Sequence, residues 1–134
     1  MFNSKKRLCV WLVIVIALTP LRVLASDYYS VQLYFGLSIP DGSGVTMKQW
    51  DAFLSEQIVP RFAGFNVVDS VGYWQGEPER AKIVTIVMKA ASIPDAEAIA
   101  RLYARMFHQD SVMMVQHPVA KLEFVTEKEP ERSK

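Results

Sequence analysis

From Val31 to Ser38 apolar and polar positions alternate one for one, with Val31, Leu33, Phe35 and Leu37 on one side and Gln32, Tyr34, Gly36 and Ser38 on the other. A period of two marks a strand with one buried face, because successive side chains point to opposite faces of a sheet. This stretch is expected to be the first strand of the domain and a central one. Ile39 to Gly44 is rich in turn formers and reads as a loop. Thr46 and Gln49 then have the spacing of a capping box. Behind them Met47, Trp50, Phe53, Leu54 and Ile58 recur at helical spacing, opposite Lys48, Asp51, Ser55 and Glu56. The pattern predicts a helix from Met47 to Ile58, ended by Pro60, which biases Val59 away from helical dihedrals.

Two further strands follow the turn at 61–64. Phe65 to Trp74 carries Phe65, Val67, Val71 and Tyr73 on one face, with Val68, Gly72 and Trp74 alternating. Gln75 to Pro78 is expected as a hairpin loop. Ala81 to Ala90 is apolar on both faces, Val84, Ile86 and Met88 on one and Ile83, Thr85 and Val87 on the other, as a central strand is. Ser92-Ile93-Pro94-Asp95 opens a second helix, with proline in the first turn and an acid at the positive end. Its apolar stripe is Ala96, Ile99, Leu102, Tyr103, Met106 and Phe107. A last strand starts at Ser111–Val115, is interrupted at His117-Pro118, and continues extended over 119–125.

Strand, helix, strand, strand, helix, strand is the split βαβ, ferredoxin-like order. The expected fold is therefore α+β, a four-stranded antiparallel sheet with both helices on one face. Right-handed crossovers place the first and third strands in the middle and leave the other face open.

The N-terminal quarter has a different character. Lys5, Lys6 and Arg7 precede an unbroken apolar run, Leu8–Leu18, followed by Val23-Leu24-Ala25. A basic start, an apolar run too short to span a bilayer and small residues before a cut are the layout of a secretory signal peptide. Residues 1–25 are expected to be removed; if uncleaved they would be the only membrane contact. The domain is expected over 26–125, and 126–134 as a disordered polar tail. Residues 1–25 hold four bases and no acid, so the remainder carries eleven bases against fourteen acids, a net charge of −3. A mildly acidic domain offers no electrostatic case for nucleic acid. The single cysteine, Cys9, leaves with the signal, so the mature chain has neither disulfide nor thiolate metal site. A periplasmic or secreted location follows.

Leu33-Tyr34-Phe35-Gly36-Leu37, Trp50, Phe53, Pro60-Arg61-Phe62, Gly64 and Gly72-Tyr73-Trp74 recur in one order with Glu79-Arg80-Ala81-Lys82-Ile83, Tyr103, Phe107, Gln109, Ser111 and Val112. In these residues the chain resembles a bacterial domain-of-unknown-function family, number 3574, over most of Val31–Phe124. It departs from that pattern in lacking a proline at Phe62-Ala63-Gly64 and in a shorter hairpin after Trp74. The resemblance implies domain limits and export, and brings no chemistry with it.

The residues themselves carry no nucleophile elbow, P-loop or HExxH spacing. His108 and His117, the only histidines, do not set a metal-ligand spacing, and no cofactor is expected. Tyr34, Tyr73 and Trp74, with Gly36 and Gly72 between them, are candidates for an aromatic ligand patch or a dimer surface. Arg61 and Lys82, with Glu79, are candidates for a charged group at one end of the sheet. The reading is of an exported, non-catalytic domain that binds a ligand or a second copy of itself through the open sheet face. Two alternatives belong to other classes. One is a small cofactor-independent oxygenase or isomerase of dimeric ferredoxin-like type, with a pocket between helices and sheet holding Arg61, Tyr103 or His108. The other is an accessory subunit of an envelope complex.

Overall fold

The computed structural model describes residues 27–39 and 41–127. The expected signal segment and residues 128–134 of the expected tail lie outside the described residues. The chain forms β1 (Tyr28–Gly36), α1 (Met47–Phe53) continued by a π-turn (Leu54–Ile58), β2 (Asn66–Trp74), β3 (Glu77–Lys89), a 3₁₀ turn (Ala90–Ser92), α2 (Ile93–Met106) and β4 (Met113–Pro118). The sheet order is β2-β3-β1-β4 and every pairing is antiparallel. This is the expected ferredoxin-like α+β arrangement, with β1 and β3 in the middle.

The alternation in β1 decides the layering. Val31, Leu33 and Phe35 are completely buried, and their cross-strand partners Ile86, Val84 and Lys82 are buried beside them. The helices close this face with Trp50, Phe53 and Ile58 from α1 and its π-turn, and Ala96, Ile99, Tyr103 and Phe107 from α2. Five rings form the centre: Tyr103 lies 4.7 Å from Phe35, 5.0 Å from Phe53 and 4.7 Å from Phe107, and Trp50 packs 5.5 Å from Phe35. These are the tilted and edge-on distances at which aromatic pairs attract.

The first helix starts as its capping box requires. The Gln49 amide donates to Thr46 Oγ1 at 3.2 Å and the Thr46 amide donates to Gln49 Oε1 at 2.9 Å. Its end differs from expectation. Val59 keeps helical dihedrals (φ −51°, ψ −44°) despite Pro60, and its N–H reaches back five residues to Leu54 O at 3.0 Å. The π-turn has a packing reason. Phe53 and Ile58 are both buried though five residues apart, and an i→i+5 turn stacks such residues where an α-turn would swing them apart. Met47 and Met106 are 44% and 48% exposed, so neither belongs to a buried stripe. Met47 is the first helical residue, and Met106 sits at the flank of the stripe that Ala96, Tyr103 and Phe107 define.

Three expected boundaries change. The hairpin loop is only Gln75-Gly76, both with positive φ (50° and 87°), the mark of a type I′ turn, so Glu77 and Pro78 belong to β3. Pro78 is tolerated there because Tyr73–Pro78 lies next to the turn-closing pair Trp74–Glu77, where the ladder makes no hydrogen bond. On Pro78's other side β1 has already ended, at Gly36 opposite Ala81. The other end of β3 also moves, for Ala90 belongs to the 3₁₀ turn. His117-Pro118 does not interrupt the last strand, which runs through them opposite Ser30 and Tyr29. It then stops, and 119–127 form no strand. β4 is an edge strand whose neighbour β1 starts at Tyr28, so beyond Val119, whose N–H donates to Tyr28 O, the ladder has run out.

Candidate functional site

The sheet face turned away from the helices is built by register. Tyr34 stands opposite Ile83 on one side and Met113 on the other, and Ile83 is paired with Val68. The next row is Gly36, Ala81 and Ser70, three small residues side by side. Beyond it Gly72 faces Glu79, and Trp74 faces Glu77. A low row between higher ones is a depression. A groove of about 670 Å³ lies there, walled by Tyr34, Trp74, Glu79 and Met113 and closed at one end by the segment after α2.

That segment is held by a helix end. His108 takes positive φ (50°) directly after the α2 cap, and the Gln109 amide donates back to Ala104 O at 3.0 Å, a Schellman-type stop. The turn throws the Gln109 side chain over the sheet end, where its amide nitrogen donates to Ser38 O at 2.7 Å. A Cβ at Gly36 would stand 3.1 Å from Gln109 Oε1, so this glycine is the close approach that a strand glycine often marks. Gly72 is different. The nearest atom to a Cβ there is Glu79 O at 3.9 Å, and the space above it is part of the groove.

Of the residues the sequence singles out, Tyr34 and Trp74 come together around this groove, with Gly36 and Gly72 in its lining; Tyr73 borders it, but its place between Gly72 and Trp74 gives its side chain the other face of the strand. Arg61 and Lys82 do not line it. The charged group of Arg61, Glu79 and Lys82 does not form, because Glu79 and Lys82 are three residues apart on one strand and take opposite faces. Lys82 is on the helix-covered face, buried, with its ammonium on the carboxylate of Asp69, its partner across the ladder. That contact, foremost as a hydrogen bond, holds the Asp69 carboxyl below the ordinary carboxylate range. Arg61 donates to the Gln57 carbonyl and to Gln57 Oε1, satisfying a free carbonyl of the helix end.

Glu79 in this role, Gln109, Asp110 and Ser111 are lining residues that sequence reasoning missed as a site. The usable signal was the turn: a two-residue loop at Gln75-Gly76 dictates that Gly72 pairs with Glu79. His108 and His117 stand apart, one at the end of α2 and one opposite Ser30 in β4. Among the described residues no group of three or more His, Cys, Asp or Glu side chains is placed to hold a metal.

The space between helices and sheet is occupied by the aromatic core. Tyr103 is completely buried in it and donates its hydroxyl to Gly36 O at 2.7 Å. Burial pushes its phenol well above the ordinary tyrosine range.

A sequence-family model described as "Protein of unknown function (DUF3574)" matches residues 30–124, and the chain belongs to that family. No curated protein matches it. Among solved structures, a phage SAM lyase in complex with S-methyl-5'-thioadenosine is similar in fold, with a TM-score of 0.55 and 14% sequence identity over 73% of this chain and 86% of that one.

Proposed function

We propose that this domain is a non-catalytic binding module of the cell envelope, exported and freed of residues 1–25, which works through the open face of its sheet. The observation that carries the reading is the groove between half-buried Tyr34 and exposed Trp74, which flank a row of small residues on the face that no described helix covers. A volume of about 670 Å³ suits a small organic ligand. The buried tyrosine that could serve acid–base chemistry between helices and sheet is instead a packed core residue bonded to backbone, which favours binding over catalysis.

A second reading, self-association through the same face, is favoured by Val68, Val87 and Met113, which share that face and are 54%, 45% and 56% exposed. Exposed apolar groups gathered on one surface mark interaction sites.

Native mass spectrometry of the protein purified from its own source tests both readings together. The expected spectrum shows a chain beginning at Ser26 that carries a small molecule, or a dimer that Tyr34→Glu or Val87→Lys dissociates. A strict monomer without bound mass, whose solubility and association neither substitution changes, would sink the proposal.

A further inference from the structure

We infer that the groove takes an organic cation, an alkylammonium head on an apolar or aromatic body. The inference rests on the reading of the open face as a binding surface and names the chemistry of what it binds. Charge complementarity is the ground. The lining holds two carboxylates, Glu79 and Asp110, and no lysine, arginine or histidine. Among the described residues neither carboxylate takes part in an ion pair, whereas Asp69, Glu97 and Glu123 do. The basic residues of β3 nearest to Glu79, Arg80 and Lys82, both take the other parity, and Lys82 is engaged with Asp69.

The walls supply the second attraction. Trp74 shares the open face with Gly72 and is 71% exposed, so its ring face can receive a cation without moving core residues. A cation over such a ring gains about two- to thirtyfold in affinity. An anion would meet two like charges, and a neutral ligand would leave both carboxylates in place without a partner. The floor is made for close approach: Gly36, Ala81, Ser70 and Gly72 raise no large side chain into the space.

Three probes of similar size distinguish the possibilities: benzyltrimethylammonium, benzyl alcohol and benzenesulfonate. Each is titrated into the isotope-labelled protein and followed by the amide signals of Gly36 and Gly72 and the indole signal of Trp74. The expected result is saturable shifts with the ammonium probe alone. Glu79→Gln and Asp110→Asn should each weaken binding about threefold or more, and Trp74→Leu about fivefold. Gly72→Val, which fills the groove from a position with free space around it, should abolish the shifts while leaving the rest of the spectrum in place. Binding of benzyl alcohol as tight as that of the cation, or affinities unchanged in Glu79→Gln and Asp110→Asn, would overturn the inference and leave a groove for neutral ligands. Shifts with none of the probes would overturn it too, and native mass spectrometry would then decide the binding role separately.

Discussion

Gly36 and Gly72 lie on the same sheet face and line the same groove, yet their neighbours predict opposite outcomes for the same substitution. Gly36→Ala places a methyl 3.1 Å from Gln109 Oε1, and Gln109 is anchored by its bond to Ser38 O. The expected loss is about 1 kcal/mol, at the low end for overpacking, read from the urea midpoint. Gly72→Ala meets nothing closer than 3.9 Å, and because glycine weakens a strand it should be neutral or stabilise by about 0.5 kcal/mol. The difference was not legible in sequence, where each is a strand glycine with one aromatic and one aliphatic neighbour (Phe35 and Leu37, Tyr73 and Val71); only the path of the chain after α2 separates them. Tyr103 carries a second residue-scale expectation. Burial raises its phenol above the ordinary value of 10.0, so the folded chain holds this proton more tightly than the unfolded one. The resulting stability is complete below about pH 10 and is lost as pH rises from there toward the folded value. Tyr103→Phe should make the alkaline fall shallower, and at neutral pH should cost about 1–2 kcal/mol because Gly36 O loses its donor. Thermal melts between neutral pH and pH 11 would show both effects.

At the scale of the element, the β2–β3 hairpin shows how a local misreading moves a site. Gln-Gly followed by Glu-Pro resembles a four-residue loop, since proline is rare within strands and glutamine does not announce positive φ. The structure makes it a two-residue type I′ turn, and the register then puts Glu79 beside Gly72 in the groove. Gln75 is the weak member of that turn. Gln75→Asn creates the favoured Asn-Gly pair and should raise stability by a few tenths of a kcal/mol, whereas Gly76→Ala, at φ 87°, should cost about 1–2 kcal/mol. Equal melting temperatures for the two variants would contradict the turn type. The first helix was read more fully: its capping box, its start at Met47 and its end near Ile58 all follow from side-chain spacing. Its π-turn was not legible, because Leu54 to Ile58 is an ordinary four-residue helical step, and only the burial of Phe53 together with Ile58 reveals the wider turn.

For the whole molecule, what alternation conveys is which side chains share a face, and this made the two-layer architecture legible from β1 and β3. It does not convey how much cover each face receives. The sequence shows Val84, Ile86 and Met88 against Ile83, Thr85 and Val87 as near equals, yet the helices bury only the first set, and Val87 remains 45% exposed. β2 was less legible still: both its faces are apolar in part, but as an edge strand beyond the helices it leaves Val67, Val68, Val71, Tyr73 and Trp74 all exposed. One pair of substitutions on a single strand tests the arrangement. Val84 is completely buried against the aromatic core, so Val84→Ala should cost about 2–3 kcal/mol, the lost transfer energy plus a cavity. Val87, three residues on and facing the other way, should lose no more than about 0.5 kcal/mol when cut to alanine. Chemical denaturation of the two variants in dilute solution gives this contrast directly. Raising the protein concentration should then leave the Val84→Ala deficit unchanged. If the Val87→Ala deficit grows with concentration, the open face is being covered by a second copy, because stability gained by association follows mass action and stability gained by folding does not.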